Sequence, residues 1–206
     1  MKGLVVLIAT FCKLPIRQML NANRIFERCR YLLGRLRGAI WSFAIRSAGG
    51  TCGAGLWVGK GVIWKYAPHA GIHIAKDVQF GEYCIVDVPP GGKLRIADFV
   101  KFSMGCVLAA RECIAVGADT QFGEYCSLRD ADHGMAVEIP MRLQCLVSEG
   151  ISIGCDAWIG RGVAILRGAH IGNGVVVGAN SLVLAGKLAD MGVFVGSPCR
   201  FLKVRQ

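Results

Sequence analysis

The sequence predicts an all-β protein, a solenoid of short parallel strands preceded by an N-terminal α-helical segment. A six-residue pattern with an aliphatic or Phe residue at its first position recurs between residues 74 and 188. This spacing matches neither a helical period nor simple strand alternation, and a fixed internal repeat is typical of a solenoid. Residues 1–50 lack the pattern and carry nine Lys and Arg residues against one acid, whereas residues 51–206 carry fifteen against thirteen.

The basic segment, residues 1–50, is predicted to be amphipathic, with helix over residues 1–48. The residues expected on or near one helix face are Leu32, Leu33, Leu36, Ile40, Trp41 and Phe43. The apolar run 3–12 is shorter than the roughly 20 residues of a membrane span, and no cleavage site typical of a signal peptide follows it. Two interpretations stay open: a helix that caps the solenoid or contacts another subunit, and a peripheral anchor on an anionic membrane.

The second predicted domain, residues 51–206, contains the repeat. Its hexads begin at residues 74, 80, 86, 96, 102, 108, 116, 122, 128, 153, 159, 165, 171, 177 and 183. Three short strands would form one triangular coil, with position one inside and a small residue at position five, where a neighbouring turn crowds the chain. Glycine at position two is expected to tolerate the backbone of the corner. One coil cannot bury its own apolar face, but stacked coils can.

The ten cysteines and the net charge of +10 could suggest a metal site and a nucleic-acid partner, but the positions of these residues argue against both. No C-x-x-C pair occurs, and Cys84, Cys106 and Cys126 fall at position five, so we interpret them as small buried residues rather than metal ligands. The excess positive charge lies in the N-terminal segment, without a nucleic-acid-binding motif. Neither a metal site nor a nucleic-acid partner is therefore predicted.

The rhythm breaks at "SLRDADHG", residues 127–134, and a loop insertion is predicted over residues 134–152. The loop is apolar, so we expect it to pack on a neighbouring subunit. At the break the chain presents His133 with Asp130 and Asp132. Histidine titrates near neutral pH and suits a general base. Either aspartate can orient the imidazole, or it can simply face solvent.

Two longer stretches, "AWIGRGVAILRGAHIGNGVVVGANSLV" (157–183) and "VGSPCRFLKV" (195–204), resemble the hexapeptide-repeat acyltransferases. The resemblance is closest to the O-acetyltransferase branch, which includes galactoside, maltose, xenobiotic and polysaccharide acetyltransferases. It implies a left-handed parallel β-helix, although parallel crossovers are in general right-handed. It also implies a homotrimer, acetyl-CoA in a groove between the solenoids of two subunits, and His133 as the general base. No metal is expected.

The resemblance also implies positions for the donor. Trp158 matches a position that lines the active site, while Gly160, Gly178 and Ala179 match positions where the backbone approaches the pantetheine arm. Arg200 and Lys203 can meet the CoA phosphates or belong to a solvated cluster at the C-terminus. If a hydroxyl attacks the thioester directly, no covalent nucleophile is needed, and a backbone N–H or the partner chain can stabilise the oxyanion.

The sequence thus predicts an acetyl-CoA-dependent O-acetyltransferase that modifies a sugar hydroxyl, in a surface polysaccharide or a glycolipid. We expect it in the cytoplasm, with peripheral contact to the inner face of the membrane as an open alternative. An N-acyltransferase acting on a nucleotide-linked amino sugar and a non-catalytic scaffold remain alternatives. A zinc carbonic anhydrase on the same solenoid is disfavoured, because His69 and His73 form a poor metal pair and His133 has no obvious partners.

Overall fold

The computed structural model describes residues 22–206, which form one α-helix, 23 short strands and a 3₁₀ helix at Met141–Leu143. The helix, α1, spans Ala22–Ser47. It covers the later part of the helix predicted for residues 1–48, and residues 1–21 of that prediction lie outside the described residues. Within the described part, no helix is long and apolar enough to cross a membrane.

The strands form three faces of a prism and one separate hairpin. Face 1 consists of β1 (Thr51–Cys52), β4 (Ile72–Ile74), β7 (Lys93–Ile96), β10 (Cys113–Val116), β15 (Ile151–Ile153), β18 (Ala169–Ile171) and β21 (Gly186–Leu188). Face 2 consists of β2 (Trp57–Val58), β5 (Gln79–Phe80), β8 (Lys101–Phe102), β11 (Gln121–Phe122), β16 (Trp158–Ile159), β19 (Val176–Val177), β22 (Gly192–Gly196) and β23 (Cys199–Val204). Face 3 consists of β3 (Ile63–Trp64), β6 (Ile85–Asp87), β9 (Val107–Ala109), β12 (Ser127–Arg129), β17 (Ala164–Leu166) and β20 (Leu182–Val183). The hairpin pairs β13 (Ala131–His133) with β14 (Leu146–Ser148).

The chain visits faces 1, 2 and 3 in turn, and each strand pairs in parallel with its equivalent one coil away. Leu128, for example, lies between Leu108 and Ile165. The first residue of every predicted hexad is buried, with at most 4% of its surface exposed. The predicted solenoid of parallel coils is therefore confirmed, and its core is the stack of position-one side chains.

The cysteines at position five form hydrogen bonds in addition to fitting a crowded corner. The thiol Sγ of Cys84 donates to the carbonyl of Ser103 (3.2 Å), that of Cys106 to Gly123 (3.2 Å), and that of Cys126 to Gly160 (3.1 Å). Each acceptor is at position two of the next coil. The buried cysteines thus fill the corner and also satisfy a backbone carbonyl there.

The predicted role of position two needs a correction. The left-handed backbone of the corner lies at position four, not at position two: φ is between 52° and 61° at Asp77, Tyr83, Phe99, Asp119, Tyr125, Asp156, Asn180 and Met191. Glycine at position two is instead required by the next coil. A Cβ on Gly123 would lie 2.5 Å from the backbone nitrogen of Arg161, closer than atoms can pack.

The solenoid also begins one coil before the first predicted hexad. Strands β1, β2 and β3 add a coil in which Cys52, Val58 and Trp64 hold position one. The sequence did not reveal this coil, because Cys and Trp replace the usual aliphatic residue at two of its three first positions.

Helix α1 lies against this first coil through small residues. A Cβ on Gly34 would strike the indole of Trp57, and one on Gly38 would strike the carbonyl of Leu56, so the helix backbone approaches the solenoid directly. Trp41 stacks on Trp64 with 4.7 Å between ring centroids. The prediction that Trp41 shares a face with Leu32, Leu33, Leu36, Ile40 and Phe43 is therefore wrong, because those five are exposed and Trp41 is half-buried against the solenoid.

The loop insertion is shorter at its C-terminal end than the predicted 134–152. Strand β15 has already rejoined face 1 at Ile151, which pairs with Ile114 and is 2% exposed. The hairpin starts at Ala131, three residues before the predicted start of the insertion. Between its limbs lie the 3₁₀ helix and the exposed side chains of Met135, Ile139, Met141 and Leu143.

Candidate active site

Asp130 anchors the neck of the insertion. Its side chain is fully buried, and its carboxylate accepts hydrogen bonds from the backbone amides of Arg111 (2.6 Å), Glu112 (2.9 Å) and Cys113 (2.8 Å). Both oxygens are thus occupied by the preceding coil. Asp130 fixes the place where the hairpin leaves the solenoid and is not hydrogen-bonded to His133.

Asp132 and Glu149 stand on opposite limbs of the hairpin and share one arginine. Arg167 Nε lies 2.8 Å from Oδ2 of Asp132, and its Nη1 lies 3.5 Å from Oε2 of Glu149. The Asp132 carboxylate is therefore directed to Arg167 on the next coil. Sequence reasoning missed Arg167, although an arginine within the small-residue hexad "ILRGAH" is a signal that could have revealed it.

His133 is the last residue of β13 and is exposed. It pairs with Leu146, and the next amide, from Gly134, donates to the carbonyl of Cys145 at 3.0 Å. Its backbone is therefore held by the hairpin. In residues 22–206 its imidazole has no hydrogen-bond partner, whereas those of the other three histidines do: His69 contacts the Val88 carbonyl, His73 contacts Thr51, and His170 contacts Ser152.

The loop beyond His133 is organised by Gln144, another residue that sequence reasoning missed. Its Oε1 accepts from the amide of Ala136 (2.8 Å), while its Nε2 donates to the carbonyls of Ala136 (2.9 Å) and Ile139 (2.6 Å). An amide side chain can satisfy several backbone groups of a loop at once. This loop thus has a defined backbone despite its exposed apolar side chains.

A groove runs along face 2 and encloses about 470 Å³, within the usual range of small-molecule sites. We call it the face-2 groove. Four of the predicted donor-binding residues line it: Trp158, Gly160, Gly178 and Ala179. Trp158 is 59% exposed, so its indole forms an open wall. The structure therefore brings these four residues together on one surface.

Arg200 and Lys203 do not line the groove. Both lie on β23, which folds back antiparallel on β22, with Arg200 opposite Val195 and Lys203 opposite Val193. Strand β22 in turn lies next to β19, the groove strand that precedes Gly178. The two cations thus stand two strands from the groove strand, and their contact with CoA phosphates stays a prediction.

His133 and the groove occupy different corners of the prism. The hairpin leaves the solenoid between β12 of face 3 and β15 of face 1, whereas the groove follows β11, β16 and β19 into the turns from face 2 to face 3. The chain therefore holds the predicted base and the predicted donor groove apart. Whether His133, Asp130 and Asp132 act in catalysis stays a prediction.

An ion cluster around the buried Asp87 supports the same corner as the hairpin. Asp87, which is 4% exposed, lies 2.9 Å from Lys65 Nζ and 3.0 Å from Arg111 Nη1. Burial alone would raise the pKa of this carboxyl, but the two cations outweigh it and hold the pKa below its ordinary value. Sequence reasoning missed this cluster because its members are about one coil apart.

Within residues 22–206, no three His, Cys, Asp or Glu side chains gather as metal ligands.

Comparison with known proteins identifies the repeat. Residues 150–185 match the family model described as bacterial transferase hexapeptide (six repeats). A probable acetyltransferase of Mycobacterium tuberculosis is 31% identical over 73% of this chain and 50% of its own length. A putative lipopolysaccharide biosynthesis O-acetyl transferase of Escherichia coli is 32% identical over 54% of this chain and 61% of its own length. The chain thus spans only half to three fifths of these curated relatives.

Solved structures agree on the fold. AntD, an N-acyltransferase from Bacillus cereus in complex with dTDP and coenzyme A, has a TM-score of 0.66 and 23% identity, covering 75% of this chain and 84% of that chain. A hexapeptide-repeat acetyltransferase from Vibrio cholerae in complex with acetyl coenzyme A has a TM-score of 0.51 and 18% identity, covering 91% and 92%. The predicted fold class, a left-handed parallel β-helix with an N-terminal helix, is confirmed.

Proposed function

From the match of residues 150–185 to the hexapeptide-repeat transferase family model, we propose that the chain is an acyltransferase that moves an acetyl group from acetyl-CoA to a sugar hydroxyl. The observation that carries the proposal is the face-2 groove, where the exposed indole of Trp158 stands beside small residues at Gly160, Gly178 and Ala179. Small residues let the backbone approach an extended ligand closely. The pantetheine arm of acetyl-CoA fits such a groove.

In the proposed reaction, His133 acts as general base. Its imidazole accepts the proton of the acceptor hydroxyl as the oxygen attacks the thioester carbon, and the thiolate of CoA then leaves and is protonated. No acyl-enzyme is formed. The exposed imidazole, without a partner in residues 22–206, is free to meet a substrate, and Asp132 and Asp130 hold the hairpin that carries it.

We further propose that the complete site needs two copies of the chain. One copy presents His133 at the corner between faces 3 and 1, and its neighbour presents the groove at the corner between faces 2 and 3. In a closed ring of three copies the same contact occurs three times, and each contact joins the His133 corner of one copy to the groove corner of the next. The exposed apolar side chains of the 134–145 loop would be covered in the same contact.

A calorimetric titration with acetyl-CoA tests the proposal, with CoA lacking the 3′-phosphate as a comparison ligand. The exposed Ala179 offers a clean variant, because Ala179→Phe fills the groove without disturbing the core. Ala189→Phe, at an exposed alanine outside the groove, is the matched control. We expect one site per chain in the wild type and the control and none in Ala179→Phe. Equal binding by all three proteins would contradict the assigned groove.

Helix α1 supports a second proposal. We propose that the protein is cytoplasmic and that α1 makes peripheral contact with an anionic membrane. Its outward side carries an apolar stripe whose members are three, four or seven residues apart and each at least half exposed: Phe26, Leu33, Leu36, Ile40 and Phe43. The same helix has six arginines and one acid. Because α1 is so basic, the same helix of a second copy would repel it, whereas the negative charge of an anionic lipid would attract it.

Vesicle sedimentation of the full chain tests this contact. At low salt we expect the wild type to sediment with vesicles rich in phosphatidylglycerol but not with phosphatidylcholine alone. The double variant Leu36→Glu, Phe43→Glu should stay in the supernatant, while Leu202→Glu, at an exposed C-terminal leucine, should behave as the wild type. Sedimentation of the double variant would refute the contact.

A further inference from the structure

A second cavity, which we call the helix pocket, lies between α1 and face 2 and encloses about 350 Å³. Helix α1 contributes Glu27, Arg30 and Tyr31, and the opposite wall contains Trp57, Gln79 and Glu82. This volume is sufficient for a small ligand. None of these residues belongs to the predicted donor site.

The helix pocket adjoins the face-2 groove. Lys101, Ser103 and Glu124 line both cavities. A ligand in the helix pocket would therefore lie beside a donor bound in the groove. An acceptor needs such a neighbouring position, because its hydroxyl has to reach the thioester.

Trp57 forms a fixed aromatic wall. Its Nε1 donates to the carbonyl of Tyr31 at 3.2 Å, and the edge of its indole lies against Gly34, where no side chain could fit. The indole is thus held by the helix backbone. Arg30 also lies over the indole, 6.0 Å from the ring centroid, so a sugar ring would pack against the part of the indole that Arg30 leaves free. Because the indole is already immobile, it loses little entropy when a sugar docks on it.

The charges of the helix pocket distinguish it from a phosphate site. Glu82 is paired with Arg30 at 2.9 Å. In residues 22–206 neither Glu27 nor Glu124 makes an ion pair. The helix pocket thus contains two unpaired carboxylates and one lysine, Lys101, although the net charge of the chain is +10. Carboxylates accept hydrogen bonds from hydroxyl or ammonium groups but repel a diphosphate.

We propose that the helix pocket is the acceptor subsite and that it takes a sugar ring, with or without an amino group, but not a nucleoside diphosphate. Glu27, Glu124 and Gln79 provide acceptors and donors for the ring substituents, and Trp57 packs against its apolar face. The inference rests on the proposed transferase function. It gives α1 a role in acceptor selection, because the helix provides one wall of the subsite.

Saturation-transfer NMR on the full chain tests this with the methyl glycosides of glucose, galactose, mannose and glucosamine. We expect at least one to receive saturation, and Glu27→Gln and Glu124→Gln each to weaken its binding about tenfold. Glu112→Gln, at an exposed carboxylate outside both cavities, should not. UDP should not displace the glycoside. Trp57→Phe, used if circular dichroism shows it folded, should weaken binding as well.

The outcomes separate the two proposals. Absence of saturation for every glycoside, unchanged affinity in both Gln variants, or displacement by UDP overturns the subsite, even if acetyl-CoA binds the groove. If glycosides bind as expected and acetyl-CoA does not, the proposed transferase function fails and the acceptor assignment fails with it. Glycoside and acetyl-CoA binding together, with the expected variant effects, support both.

Discussion

Arg167 holds Asp132 at 2.8 Å from its Nε, and the same guanidinium reaches Glu149 on the other limb of the hairpin. One residue of the following coil thus joins both limbs of the segment that carries His133. The pairs are one-third to one-half exposed, so their energy is modest. Their consequence is geometric, since they fix the direction in which the hairpin leaves the solenoid.

Replacing Arg167 should affect turnover more than donor binding. We expect Arg167→Ala to lower kcat about fivefold, because the base loses its fixed position, and to leave the Kd for acetyl-CoA unchanged. Arg167→Lys should recover part of the loss. Steady-state kinetics and calorimetry measure the two effects. Arg142→Ala, at an exposed arginine of the loop, is the control, and an equal loss of kcat there would argue against a positioning role.

His133→Ala should lower kcat by about 10²- to 10⁴-fold, the usual contribution of a general base, with acetyl-CoA binding intact. The matched control is His170→Ala, which removes an exposed histidine whose imidazole is hydrogen-bonded to Ser152. The measurement is acetyl transfer to an accepted sugar, with CoA release as readout. Full activity of His133→Ala would mean that a different group is the base, whereas no transfer even by the wild type would support a scaffold.

Mixing two inactive variants tests the shared site. Chains with His133→Ala lack the base and chains with Ala179→Phe lack the groove, so only a contact between unlike chains is productive. For equal amounts in mixed rings we expect about one quarter of wild-type activity. His133→Ala mixed with the double variant His133→Ala, Ala179→Phe should give none. No recovery in the first mixture would mean that each chain holds its own complete site.

Asp130→Asn should destabilise the fold rather than only reduce activity. The amide group would direct N–H donors at backbone amides that now donate to the carboxylate. We expect a loss of about 1–3 kcal/mol in the free energy of unfolding, measured by denaturant titration. Asp119→Asn is the control, because Asp119 is exposed and its left-handed backbone suits Asn equally. A neutral Asp130→Asn would show that the anchor is dispensable.

Because of Asp87, the free energy of unfolding should depend on pH in the acidic range. Its pKa in the folded state is below the ordinary value, so its contribution is present above about pH 4, the pKa range of an unfolded aspartate, and disappears as pH falls through the folded pKa. At pH 7 we expect Asp87→Asn to cost about 1–3 kcal/mol. The difference from wild type should shrink below pH 4 in denaturant titrations. Asp98→Asn, in an exposed pair with Lys76, should show little difference at either pH.

The sequence predicts those features that the repeat itself imposes. Phe102 and Cys106 are recognisable because position one must face the core and position five must fit a corner. Asp130 and Arg167 could not be assigned in the same way. Their partners lie 17 to 35 residues away, and only the stacking of coils brings them together. The helix pocket was equally hidden, because it depends on where α1 packs. Gly34 and Gly38 are four residues apart and so share a helix face, but this spacing does not tell which surface they contact.

Both ends of the solenoid are covered along part of their edge. Helix α1 lies against β1 and β2, and at the other end β23 turns back and pairs with β22. A free strand edge is a template for adding another chain, and here these edges are occupied by the chain itself. The strands covered in this way are less available to pair with a second copy. Lateral contact between the long sides of the prism does not use them, and such a contact gives a small closed group when it is repeated by rotation.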